Sequence, residues 1–165
     1  MQLTDATDAL SLTRQMIDIP SVSGEEGPLA DAVEAALRGA GFGSVDTLEI
    51  LRDGDAVCAR THLGLPQRVV LAGHLDTVPI AENVPGRLEV RDGVEVVWGR
   101  GSVDMLGGCA AALALACEAG AVIRGGAREA LTADVTWIFY DHEEVASHLN
   151  GLGRIQRLYP QWLAG

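Results

Sequence analysis

Apolar residues recur along the chain with two periods. Leu10, Leu12, Met16 and Ile17 predict a first helix over about Ala9 to Asp18, capped by Asp8. Ile19-Pro20-Ser21-Val22-Ser23-Gly24 interrupts it, because a proline disfavours helix in the residue before it. Leu29, Ala32, Val33, Ala36, Leu37 and Ala40 then follow the 3.6-residue period. Ser23 or Gly24 opens this second helix, Glu25 and Glu26 suit its N-terminus, and Gly41 and Gly43 stop it.

Beyond Gly43 the apolar runs shorten. Val45 to Leu51 and Ala56 to Thr61 read as strands around the turn Asp53-Gly54-Asp55. Val69-Val70-Leu71-Ala72 has the pattern of a buried strand and runs into Gly73-His74-Leu75-Asp76-Thr77-Val78-Pro79. Leu88 to Trp98 is a hairpin with an Asp92-Gly93 turn. A glycine-rich stretch, Gly99 to Gly108, leads into a helix over about Cys109 to Ala119 that is apolar nearly all round and therefore expected to be buried. Gly120 to Ala130 reads as a loop, or a loop with a weak helical turn. Val135 to Tyr140 is a second strongly apolar strand, followed by Asp141-His142-Glu143-Glu144-Val145. Leu149 to Leu163 has helical character and contains Pro160. The alternation of helices and strands, with no internal repeat, predicts an α/β sandwich.

Composition narrows the function. At 165 residues, 48% of them hydrophobic, the chain suits one domain with a sizeable core. A net charge of −11 argues against nucleic acid and against an anionic membrane as partners. The apolar runs are short and broken by charge, so no transmembrane helix is expected. Met1-Gln2-Leu3-Thr4-Asp5 shows no basic region ahead of an apolar core, and the expected compartment is the cytoplasm. Cys58, Cys109 and Cys117 form no Cys-x-x-Cys pair and read as reduced, mostly buried residues.

The candidate chemistry lies where the apolar strands end. His74 and Asp76, two residues apart, share a face at a strand's carboxyl end, where ligand sites of open α/β sheets lie. A neutral imidazole ligates zinc, and a nearby carboxylate accepts its other N–H or helps place it. A capped strand end with one hydrogen-bonded histidine would read the same way. Asp104, and Glu143 with Glu144, form two further clusters, each after an apolar strand or hairpin and each able to sit at one sheet rim. Histidine and carboxylate without thiolate suit hydrolytic zinc, manganese or cobalt. A carboxylate can bridge two ions about 3.5–4 Å apart, and Asp104, among glycines, is the natural bridge. Of Glu143 and Glu144, one can bind metal while the other holds the attacking water. A purely structural domain would have to gather these acidic clusters without cations.

His74-Leu75-Asp76-Thr77-Val78-Pro79, Gly99-Arg100-Gly101-Ser102-Val103-Asp104-Met105 with Gly107-Gly108, and Glu143-Glu144-Val145 resemble the signatures of the two-zinc exopeptidase and deacylase family. That family includes succinyl-diaminopimelate desuccinylase, acetylornithine deacetylase and carboxypeptidase G. The resemblance extends to Ile19 through Glu26. Tyr140 through Val145 and Leu149-Asn150-Gly151-Leu152-Gly153 look most like the actinobacterial type of desuccinylase.

The resemblance implies a mixed, largely parallel sheet flanked by helices, and an amide hydrolase acting on a small acylated amino acid. It implies that His74 ligates one zinc, Asp76 orients His74, Asp104 bridges two zinc ions (or cobalt) and precedes a cis peptide, Glu144 ligates the second ion, and Glu143 is the general base. It differs at Leu106, where lysine is usual. The family's two further ligands, a glutamate and a C-terminal histidine, and its inserted dimerisation domain have no match through Gly165. The expectation is therefore the N-terminal part of a longer homodimeric enzyme, exposing an apolar edge where later strands would pair. The competing expectations are an acetylornithine deacetylase or other N-acyl-amino-acid hydrolase or carboxypeptidase, and a non-catalytic metal-binding chain. His62, His142 and His148 are not expected ligands. Trp98, Trp137 and Phe139 are expected in the core, Cys109 and Cys117 in helix packing, and Arg100 either supporting the metal loop or packing at the surface.

Overall fold

The computed structural model describes residues 3–4 and 6–164. Met1, Gln2 and Asp5, within the stretch read for a targeting signal, and the terminal Gly165 lie outside the described residues.

Helix α1 is Ala9–Ile17, and its cap is the expected one: Asp8 Oδ1 accepts the Leu10 N–H at 3.0 Å. Helix α2, Gly27–Gly39, begins later than Ser23 or Gly24, with Pro28 in its first turn. Strands β1 (Leu48–Asp53) and β2 (Ala56–Thr61) pair antiparallel around Gly54-Asp55. β1 starts three residues after the predicted Val45, because Val45 itself turns back to bridge Leu48.

Strand β3 is Arg68–His74, β4 is Arg87–Arg91 and β5 is Val94–Trp98. The last two form a separate hairpin, with Asp92 and Gly93 both at positive φ, as a tight two-residue turn demands. Trp98 is not in the core as expected. It is half-buried on this hairpin, with the Arg87 guanidinium 3.8 Å over its ring.

Helix α3 runs Leu106–Arg124, beyond both predicted ends. Gly120 does not stop it. A Cβ there would sit 2.5 Å from the Ala40 carbonyl oxygen, so the glycine serves close packing of α3 on the end of α2. By length and composition α3 could cross a membrane, contrary to the expectation from short apolar runs. In this fold Cys109, Ala110, Leu113 and Ala116 are buried in the core, while Leu115 on the opposite side is half-exposed. The expected all-round burial is therefore only partial.

Strand β6 is Asp134–Tyr140, and α4 is Gly151–Leu158, with short 3₁₀ turns at Ser147–Leu149 and Pro160–Trp162. The main sheet has the order β1-β2-β6-β3. It is mixed, but only β3 with β6 is parallel; β1 with β2 and β2 with β6 are antiparallel. The expected largely parallel sheet is thus corrected among the described residues. A two-residue turn joins β1 to β2, which only antiparallel strands permit, whereas α3 lies in the crossover between β3 and β6.

Alternation along the strands gives the sheet two apolar faces. Val57, Ala59, Trp137 and Phe139 face α1, α2 and α3, where Phe42 packs edge-on to Trp137 with ring centroids 5.9 Å apart. Ala56, Cys58, Ile138 and Tyr140 face Ile155 of α4 and Trp162. β3 is an edge strand, so Val69 and Val70 are exposed rather than buried. The parallel pairing aligns His74 with Tyr140, which brings the segments after β3 and β6 to one rim.

Candidate metal centre

His74 closes β3 and is 3% exposed. Its Nδ1 lies 2.9 Å from the Asp76 carbonyl oxygen and 3.4 Å from Asp76 Oδ1. Its Nε2 lies 3.1 Å from Asp104 Oδ1. Burial lowers the imidazole pKa, but hydrogen bonds to Asp76 and Asp104 outweigh that and raise it to about 9.

Asp76 sits two residues past the strand and is fully buried. Its Oδ1 accepts the Glu143 N–H at 2.9 Å. Its Oδ2 accepts the Glu144 N–H at 2.9 Å and the Ser23 hydroxyl at 2.7 Å. Burial opposes ionisation, yet the bonds from His74, from the two backbone N–H groups and from Ser23 hold this carboxyl well below the usual range. This carboxylate therefore ties the end of β3 to the segment after β6.

Asp104 does not come from the rim of the sheet. It lies between the β4–β5 hairpin and α3, its side chain is 75% exposed, and its bond to Met105 is cis as expected. One donor atom each of His74, Asp104 and Glu144 lies within 4.8 Å of the others. A cleft of about 410 Å³ beside them is lined by Val78, Arg100, Val103, Asp104 and Glu144. Glu143 is exposed at the same rim. Burial and the charges of Glu143 and Asp76 raise the Tyr140 hydroxyl pKa, and its ring stands edge-on to His74 at 6.1 Å.

The donor set suits a divalent cation. It offers one imidazole and two carboxylates, and the nearest thiol is no competitor. Cys109 donates to the His74 carbonyl oxygen at 3.2 Å, and burial pushes its pKa up to about 12. Leu106, at the position where the resemblance expects lysine, is buried in the core.

His142 is half-buried beside the site, 3.0 Å from Asp141 Oδ2 and 3.5 Å from Glu26 Oε1, while His62 and His148 are exposed. Arg100 donates to the Pro79 carbonyl at 2.7 Å, which joins its own loop to the segment after β3 and fits either expectation for it. The sequence reading missed Ser23 and Glu26 as site neighbours. Glu26 is not simply a helix start. It is fully buried, and its carboxylate accepts the N–H of Gly24 at 2.8 Å and of His142 at 3.2 Å. Only the serine and acidic pair themselves signalled these roles, since their partners lie far along the chain.

A family model described as Peptidase family M20/M25/M40 matches residues 70–160. Succinyl-diaminopimelate desuccinylase of Corynebacterium glutamicum is 45% identical over 163 residues, covering 95% of this chain and 39% of the relative. The enzyme of that name from Gluconacetobacter diazotrophicus is 36% identical over 140 residues, covering 78% of this chain and 35% of the relative. The chain thus spans less than half the length of these curated relatives. Among solved structures, an M20 family metallo-carboxypeptidase from Sulfolobus solfataricus aligns with a TM-score of 0.66 at 14% identity, over 94% of this chain and 35% of that one. The YXEP protein of Bacillus subtilis, described as a dinuclear metal binding peptidase of the M20 family, aligns with a TM-score of 0.55 at 18% identity, over 92% of this chain and 39% of that one. At those identities the likeness is one of fold.

Proposed function

The chain belongs to peptidase family M20/M25/M40, and we propose that it is the metal-binding part of an amide hydrolase that splits N-succinyl-LL-2,6-diaminopimelate into succinate and LL-diaminopimelate. The observation that carries the reading is the convergence of His74, Asp104 and Glu144, from three distant segments, to donor atoms within 4.8 Å. The desuccinylase reading draws on the relative that is 45% identical. This reaction serves the synthesis of diaminopimelate and lysine.

In this reading His74 holds one ion, Asp104 bridges to a second, and Glu144 holds the second; zinc suits the set, and cobalt also fits. The ions, when bound, would supply Lewis-acid polarisation of the amide carbonyl and lower the pKa of the attacking water. Asp76 fixes His74 through its Nδ1 side and holds the Glu143 and Glu144 backbone with the same carboxylate. Glu143 accepts a proton from the attacking water and delivers it to the leaving amine. The products are a carboxylate and an amine.

The resemblance implies that a further glutamate and a histidine complete the pair in a longer homodimeric protein, of whose relatives this chain spans less than half the length. Three buried, unpaired cysteines suit a reducing compartment such as the cytoplasm. The three-donor set also favours a second reading, a chain that binds an ion without turnover. Side-by-side assay of N-succinyl-diaminopimelate and N-acetylornithine with the longer protein tests the proposal. Faster succinate release supports it. Faster acetate release reassigns the acyl group, and release from neither favours the non-catalytic reading.

A further inference from the structure

The segment Asp141-His142-Glu143-Glu144 carries the proposed base and one proposed ligand, so whatever fixes it fixes the metal centre. Asp76 holds its far end. Its root is held from the opposite side of the sheet. The Asp141 side chain is 5% exposed, and Arg154 Nη2 donates to its Oδ1 at 2.8 Å. The Asp141 carbonyl accepts the Gly151 N–H at 2.9 Å. Gly151 is packed so tightly here that a Cβ would collide with Asp141 Oδ1.

Arg154 is itself braced. Its Nε donates to Asp53 Oδ1 at 2.6 Å, and Nη2 also donates to the Asp53 carbonyl at 3.0 Å. Asp53 Oδ2 accepts the Tyr159 hydroxyl at 2.9 Å. Next to Arg154 in sequence, Ile155 is fully buried and packs α4 against the sheet face of Cys58 and Ile138. One guanidinium thus spans the end of β1 and the root of the metal-site segment. Its planar fork suits that double contact, whereas a lysine offers a single point charge.

We propose that Arg154 is a positioning residue for the metal centre, acting through Asp141 to set where Glu143 and Glu144 stand; this rests on reading Glu144 as a ligand. Without Arg154 a nearly buried carboxylate loses its cation and must move toward water or toward His142, which already bonds its other oxygen at 3.0 Å. Only His142, held at a positive φ of 58°, separates Asp141 from Glu143 and Glu144 along the chain.

The test uses the longer protein and its Arg154→Met, Arg154→Lys and Tyr159→Phe variants. Co²⁺ affinity is read from visible absorption, kcat and KM from succinate release, and folding from the thermal midpoint. Arg154→Met is expected to weaken Co²⁺ binding and lower kcat by about tenfold or more, with KM within about twofold. Arg154→Lys recovers part of both. Tyr159→Phe, which loosens α4 but leaves the contact to Asp141, lowers the midpoint and leaves Co²⁺ affinity unchanged. Unchanged Co²⁺ affinity in folded Arg154→Met overturns the proposal, as does equal weakening in Tyr159→Phe. If Arg154→Met does not fold, Arg154→Lys decides: weakened Co²⁺ binding at a native midpoint supports the role, and native binding overturns it. A wild-type protein that takes up no Co²⁺ removes the metal centre and this inference with it.

Discussion

The buried carboxylate of Asp76 accepts the backbone N–H of Glu144 at 2.9 Å. A residue placed beside the histidine thus also sets the segment that bears the third donor. Asp76→Ala leaves the Glu143 and Glu144 N–H groups and the Ser23 hydroxyl without their acceptor. We expect about 10–100-fold weaker zinc binding, from a residue that touches no ion, measured by competition with a chromophoric chelator. Affinity equal to wild type would separate Asp76 from the site.

Glu143 is exposed. In the longer protein Glu143→Ala is expected to lower turnover by about 10²–10⁴-fold while zinc content and thermal midpoint stay at wild-type values. Surviving turnover would remove Glu143 as the base.

Much of this was legible in local pattern. The Asp8 cap, the Asp92-Gly93 turn and the apolar strand Val135 to Tyr140 each depend on residues close together in the chain. His74, Asp104 and Glu144 were legible as ligand types after apolar strands and a glycine-rich loop. What escaped was long-range. Gly120 looks like a helix stop until Ala40 is seen against it. Ser23 and Glu26 look like helix-start residues until Asp76 and His142 arrive from far along the chain. The exposure of Val69 and Val70 depends on which strand lies at the edge, which an apolar run does not encode.

Gly120→Ala tests the α2–α3 contact. A methyl group 2.5 Å from the Ala40 carbonyl oxygen forces the helices apart. The expected loss is about 1–3 kcal/mol in urea denaturation, despite the better helix propensity of alanine. A stabilised variant would mean that the helices separate freely.

Asp134 gives the fold an acid-sensitive anchor. Burial raises its carboxyl pKa, but the N–H groups of Leu63 and Leu65, the Thr61 hydroxyl and Arg68 lower it further than burial raises it. A folded-state pKa below the unfolded value of about 3.9 means that Asp134 stabilises the protein fully above that pH and loses this contribution as pH falls through the lowered value. The urea midpoint of wild type should therefore exceed that of Asp134→Asn at pH 6, with the gap closing toward pH 3. A gap independent of pH would show that ionised Asp134 adds nothing.

The most direct test of the metal centre is calorimetric titration of Zn²⁺ into the protein and into its Asp104→Ala variant. Asp104 is exposed and outside the core, so its loss is expected to leave the fold intact, which the thermal midpoint of the variant checks. Saturable binding in wild type, weakened about 100-fold or more in the variant, is the predicted result. Equal binding in the two proteins, or none in either, would contradict a centre built on His74, Asp104 and Glu144.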